Sequence, residues 1–169
     1  VGVELDPRAA ELARRNAERC GLKARMSVLC ADVRDAAKLL GRESFDKAVC
    51  NPPYFDFEDG TDGGRNAAAK RESGAVLDDF VAAASACLRF GGDFTLVMRA
   101  ERLCDAMTTA RAHALEPKKL TLVFPRPEAK ASVFVMTARK GAKPGIVTDA
   151  LYVLDEKGEE SEKMKELYR

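Results

Sequence analysis

The 169-residue sequence predicts an α/β fold, a parallel sheet with helices on both faces and an antiparallel strand pair towards the C-terminus. Three observations predict it. Short apolar runs alternate with helix-patterned segments through the first two thirds of the chain. Helix entries and exits carry matching cap and stop residues, such as Asp6-Pro7 and Gly21. The last two apolar runs follow one another with no helix between them, which suits antiparallel neighbours.

Val1–Glu4 reads as a strand. Pro7–Arg19 follows as a helix with Ala10, Ala13, Ala17 and Cys20 at helical spacing. Met26–Cys30 is the next strand, Arg34–Leu40 a short helix, and Phe45–Cys50 a strand stopped by Pro52-Pro53. Residues 56–74 shift to Asp, Gly, Arg, Lys and Glu, a loop of roughly 19 residues, a length usually tied to function or disorder. Val76–Phe90 is expected as a helix closed by Gly91-Gly92, Asp93–Met98 as a strand and Glu101–His113 as a helix. Lys119–Phe124 and Ser132–Arg139 form the antiparallel pair. Residues 1–154 then make one domain, and 155–169 a charged tail in which Ser161 caps a last helix through Tyr168.

Composition narrows the functional classes. A net charge of +1 excludes a broad basic footprint for nucleic acid, so any such contact is local. No apolar run approaches the roughly 20 residues of a membrane span. The five cysteines show no Cys-x-x-Cys pairing and no histidines at zinc spacing. They read as buried free thiols of a reducing cytosol, with Cys30, Cys50 and Cys87 in apolar runs. His113 stands alone on a helix, so histidine-centred catalysis and a metal site are not expected. The chain opens inside a strand with Val rather than Met, which reads as a fragment lacking its natural N-terminus.

Right-handed crossovers place all parallel strand ends on one edge, and ligands of such sheets bind outside that edge. The residues there are Glu4, Asp32, Asn51 to Phe55, and Arg99. A carboxylate at Glu4 can accept both hydroxyls of a ribose; a helix-entry charge is the plainer alternative. Asp32 can accept an exocyclic adenine amine, or simply cap the following helix. Together the two acids point to an adenosine-containing cofactor.

Asn51-Pro52-Pro53-Tyr54 is the most specific pattern. A planar NH2 must be drawn towards tetrahedral geometry before its lone pair can attack. Acceptors on both hydrogens do this: the Asn51 side-chain oxygen and the Pro52 carbonyl, which flanking prolines hold rigidly. Tyr54 offers a face for a flipped-out base, worth about 1–3 kcal/mol of stacking. The alternative is a strand ending in a turn, with Tyr54 and Phe55 tucked into the core.

In this order and spacing, "VGVELDP", "ADVRD" and "NPPYF" resemble class I S-adenosylmethionine-dependent methyltransferases of the amino-methylating type. "AAKRESG", "GGDFTLVMRAERL" and "LYVLDEKGEESEKMKELY" resemble the bacterial tRNA(Val) adenine-N6 group within them. The resemblance implies a Rossmann-like sheet, S-adenosylmethionine as cofactor, and an anticodon-loop adenine of tRNA as substrate. It implies that Glu4, Asp32 and Asn51 face the cofactor, and that Asn51, Pro52 and Tyr54 act on the amine. Pro53, Tyr54 and Phe55 would hold the base. By their place in the long loop beside the expected pocket, Arg65, Lys70 and Arg71 could contact RNA phosphates, with ordinary solvated charge as the alternative. Lys118, Lys119, Arg126 and Lys130 could reach phosphates or be ordinary solvated charge. The family's first strand and glycine-rich turn, expected about 20 residues before Glu4, have no counterpart; that strand would lie between those of Glu4 and Asn51. The same clamp would serve a protein glutamine amide or a guanine N2 of ribosomal RNA. An inactive or RNA-binding remnant is the non-enzyme alternative.

Overall fold

A computed structural model describes residues 1–52 and 76–168. Strand β1 (Gly2–Glu4) leads into helix α1 (Pro7–Arg19), then β2 (Val28–Cys30). A 3-10 turn, Val33–Asp35, and helix α2 (Ala36–Leu40) precede β3 (Phe45–Cys50). Helix α3 (Leu77–Cys87) feeds the long strand β4 (Leu88–Arg99), and α4 (Leu103–Ala112) follows. The chain ends with β5 (Leu115–Phe124), β6 (Val133–Lys140), β7 (Val147–Tyr152) and α5 (Glu162–Glu166).

The described strands form two sheets. β1 and β2 pair in parallel, and the larger sheet runs β3-β4-β6-β5-β7. β3 is parallel to β4, and β5 is parallel to β7, while β6 runs antiparallel between β4 and β5. The carboxyl ends of β3, β4, β5 and β7 therefore share one edge. The ladder is interrupted between β1 and β3, where the family resemblance puts a further strand. At the β3 margin Val49 is 83% exposed.

The core belongs to the larger sheet. Phe94, Leu96 and Met98 of β4 and Phe134, Met136 and Ala138 of β6 alternate into it and meet Val81, Ala106 and Ala110 of α3 and α4. Period-two alternation on these strands puts Thr95 and Thr137 on the opposite face, where their hydroxyls bond at 3.0 Å.

Several boundaries differ from the sequence expectation. The helix before β4 ends at Cys87, not Phe90. Leu88 is fully buried in extended backbone and pairs with Phe45. The next pair along is Lys47 with Asp93, so Gly91-Gly92 lie in a bulge of β4 rather than closing the helix. β5 begins four residues before Lys119, with Pro117 at a register irregularity of the ladder. Strand β7 was not anticipated. Residues 141–146 carry the chain past the amino end of β5, and β7 then pairs from Lys119↔Val147 to Phe124↔Tyr152. The charged tail also folds back: Ser161 Oγ donates to the Tyr152 carbonyl at 2.5 Å and accepts the Met164 N–H at 3.2 Å, capping α5. Of the five cysteines expected to be buried, Cys20, Cys30 and Cys104 are exposed, Cys50 is half-buried and Cys87 is buried.

Candidate active site

Glu4 ends β1, and its register partner is Cys30 at the end of β2. The Ala31 N–H donates to the Glu4 carbonyl at 3.0 Å, so the chain leaving β2 stays against the chain leaving β1. This brings Glu4 and Asp32 to one end of the small sheet. Glu4 Oε1 accepts the Asp6 N–H at 2.9 Å, and Asp6 in turn caps α1 by accepting the Arg8 N–H at 2.8 Å. Among the described residues nothing donates to Glu4 Oε2, which retains capacity for a diol.

Asp32 is the N-cap of the 3-10 turn. Its Oδ1 accepts both the backbone N–H and the Nε–H of Arg34 at 2.9 Å, and its Oδ2 accepts the Arg34 Nη2–H at 2.5 Å. The Arg34 side chain, then its backbone N–H, hold the Asp32 carboxyl below the usual carboxylate range. The capping role left open by the sequence is therefore present. It does not exhaust the group, because an ionised carboxylate has about four lone-pair sites. Arg34 was missed from sequence; its signal was the Asp-x-Arg spacing in "ADVRD".

Asn51 and Pro52 stand on the other sheet. Asn51 follows the last residue of β3 and is exposed, while Pro52 is buried. The preceding Cys50 pairs with Leu96 of β4, which anchors this strand end on the core. Burial pushes the Cys50 thiol up to about 11, so it is a neutral thiol and no rival nucleophile beside the amide. Pro53, Tyr54, Phe55, Arg65, Lys70 and Arg71 lie outside the described residues.

Further along the same edge, Arg99 pairs with Glu101 at 2.8 Å. Phe124 and Tyr152, ending β5 and β7, stack with centroids 5.2 Å apart and planes at 28°. The second basic group divides. Arg126 and Lys130 follow β5 at this edge, exposed and without ion-pair partners among the described residues. Lys118 instead donates to the Lys143 carbonyl at 3.1 Å, and Lys119 pairs with Val147 at the opposite end of β7. Among the described residues no three His, Cys, Asp or Glu side chains gather as metal ligands. No helix among them is long and apolar enough to cross a membrane.

The chain is 32% identical over 133 residues to the tRNA1(Val) (adenine(37)-N6)-methyltransferase of Porphyromonas gingivalis strain W83, covering 76% of this chain and 52% of the relative. It is 28% identical over 130 residues to the protein of the same name from Bacteroides fragilis strain YCH46, covering 76% and 54%. The chain thus spans about half the length of the curated relatives it matches. A crystal structure of a predicted O-methyltransferase from Agrobacterium tumefaciens superposes with a TM-score of 0.76 at 22% identity, covering 98% of this chain and 74% of that one. The geranyl diphosphate C-methyltransferase of Streptomyces coelicolor gives 0.57 at 10% identity, covering 82% and 62%. These two likenesses establish the Rossmann-like methyltransferase fold. Residues 1–124 match the family model UPF0020, described as the RMKL-like methyltransferase domain, and the chain belongs to that family.

Proposed function

We propose that this chain transfers a methyl group from S-adenosylmethionine to the exocyclic N6 amine of an adenine in tRNA, the anticodon-loop adenine of tRNA(Val). The observation that carries the reading is the pairing of two acceptor sets on strand ends. Glu4 ends one strand of the small parallel sheet, Asp32 lies two residues after the other, and Asn51-Pro52 follow the first strand of the large one. The names of the P. gingivalis and B. fragilis relatives support the substrate assignment.

The acids fit an adenosine-bearing cofactor by their remaining acceptor capacity. Glu4 Oε2 can take ribose hydroxyls, and Asp32 can take one N–H of the adenine amine. When bound, the cofactor supplies an electrophilic methyl sulfonium. The chain's own residues then have three tasks. The Asn51 side-chain oxygen and the Pro52 carbonyl accept the two hydrogens of the target NH2 and localise its lone pair. Tyr54 stacks on the extruded base, with Pro53 and Phe55 beside it and Arg65, Lys70 and Arg71 on the phosphates. No strong base is required, because the methylated amine is cationic and acidic enough to release its proton to water. The reading includes residence in the cytoplasm, where the tRNA is.

The clamp is equally suited to a glutamine side-chain amide, so the test must include both acceptors. Labelled S-adenosylmethionine is incubated with unmodified tRNA(Val) and, separately, with a release-factor protein. The expected result is label in tRNA, recovered as N6-methyladenosine. Label in protein glutamine alone, or in neither substrate, refutes the adenine assignment.

A further inference from the structure

The Asp32–Arg34 contact carries more than a helix cap. A carboxylate that only caps a turn needs one oxygen on a backbone N–H. Here Arg34 contributes three donors: its own N–H and Nε–H to Oδ1, and Nη2–H to Oδ2. Oδ1 is thereby filled and Oδ2 half filled, since each oxygen accepts about two hydrogen bonds. The guanidinium is a rigid planar fork, so the carboxylate plane and its remaining lone pair are fixed together. The Asp32 side chain is only 21% exposed, while Arg34 lies at 51%, so the acceptor is more sheltered than its clamp.

We propose that Arg34 is a positioning residue that makes Asp32 a one-site acceptor, selecting cofactors whose base presents a single N–H at that point. This rests on the reading of Asp32 as the adenine contact. An adenine amine donates there. A hypoxanthine carbonyl would set oxygen against oxygen and be rejected. Without the Arg34 side chain only the backbone N–H still holds Oδ1, so two more lone pairs open to water and the carboxylate can turn to present whichever edge suits the ligand.

Protonation gives a second signature. A protonated Asp32 can donate to a hypoxanthine carbonyl, so base selection must fail wherever the group takes up a proton. Arg34 is the one charged group among the described residues acting on Asp32, and it keeps the carboxylate ionised into the acid range. Arg34 itself is held by Asp32 first, with Asp79 of α3 and the neighbouring Asp35 adding to its charge-stabilising surroundings.

The test compares S-adenosylhomocysteine with S-inosylhomocysteine by titration calorimetry, using wild type, Arg34→Gln, Arg34→Lys and Asp32→Asn. Circular dichroism confirms folding of each. Wild type should prefer the adenine ligand by about tenfold or more, the scale of one charge-assisted hydrogen bond. Arg34→Gln, in which the ionised Asp32 still only accepts, should lower that ratio several-fold at neutral pH and bring it close to one as pH falls towards about 4. Arg34→Lys should retain part of it. If Arg34→Gln does not fold, Arg34→Lys decides alone, and a wild-type ratio in it overturns the proposal. Equal weakening of both ligands in the Arg34 variants would show a merely structural role and also overturn it. A wild-type protein that binds neither ligand, or binds both equally with Asp32→Asn unchanged, overturns the cofactor reading itself.

Discussion

Two residues side by side in the turn region below β5 and β6 make opposite predictions from one cause. Ala114 has φ 58° and Gly141 has φ 70°, and the Gly141 N–H donates to the Ala114 carbonyl at 2.9 Å. Both are left-handed. That conformation costs an L-residue roughly 1–2 kcal/mol and costs glycine nothing. Ala114 is exposed, so Ala114→Gly loses little packing and relieves the strain. Part of the gain is returned as greater freedom of the unfolded chain, about 0.4–1 kcal/mol. The net expectation is a stabilisation of about 0.5–1 kcal/mol. For Gly141→Ala the same unfolded-chain term offsets part of the strain, so it should destabilise by about 0.5–1 kcal/mol, a fall in Tm of roughly 1–4 °C for a chain of this size.

A second effect competes at Gly141. A new Cβ would collide with the Phe90 ring edge. That ring is 76% exposed and sits at the end of a flexible side chain, so it can swing away. The backbone term therefore dominates. Urea unfolding of Gly141→Ala in wild-type and Phe90→Ala backgrounds separates the two. The loss should persist in the Phe90→Ala background; full recovery there would show that collision, not backbone conformation, sets the cost.

Four further outcomes are expected. Asn51→Ala should abolish methyl transfer while leaving S-adenosylhomocysteine affinity within about threefold; measurable wild-type turnover would remove Asn51 from the amine clamp. Phe134→Ala empties a fully buried position in the core and should cost about 3–5 kcal/mol in urea unfolding; a cost near zero would mean the sheet face is not packed as described. Asp93 and Arg139, a cross-strand register pair, bond through Nε–H at 2.8 Å and Nη2–H at 3.2 Å, and Arg139 lowers the Asp93 carboxyl. A depressed folded value gives stability that is present above the ordinary carboxylate range and lost as pH falls through the folded value. Wild type should thus exceed Asp93→Asn by about 0.2–1 kcal/mol at neutral pH and converge with it in acid. Finally, thiol titration at neutral pH should label the exposed Cys20, Cys30 and Cys104 well before Cys50, whose thiol is pushed up to about 11; rapid labelling of Cys50 would contradict its burial.

Local chemistry was legible in the sequence and pairing was not. Asp6, Asp32 and Ser161 were readable as caps because a short polar side chain before a helical pattern has a local partner. The end of β3 was readable because proline cannot continue a ladder. Gly91-Gly92 misled, since the same residues serve a helix stop and a strand bulge. The choice was made by Leu88, whose burial against the sheet is a tertiary fact. β7 escaped because Val147–Tyr152 mixes Asp and Thr into an edge strand and is paired to β5 across sequence, not along it. At the site, Glu4 and Asp32 were placed by strand ends alone. The role of Arg34 needed coordinates, because a side chain turned back on its own cap has no periodic signature.

The division of the ladder also has a thermodynamic meaning. Glu4 ends one strand of three residues and Asp32 lies two residues after another, and the buried side chains of α1 and α2 are alanines: Ala10, Ala17 and Ala36. Among the described residues every large, fully buried side chain belongs to the larger sheet and the helices packed on it, the part that carries Asn51. Strands β1 and β2 with α1 can then open locally at a free energy below that of the whole chain. A ligand held by those two acids binds only the closed form, so its apparent affinity is the intrinsic one scaled by the closed fraction. Substitutions on the packed face of α1 that touch neither carboxylate will shift that fraction, and they will register as weaker binding of any ligand the two acids hold.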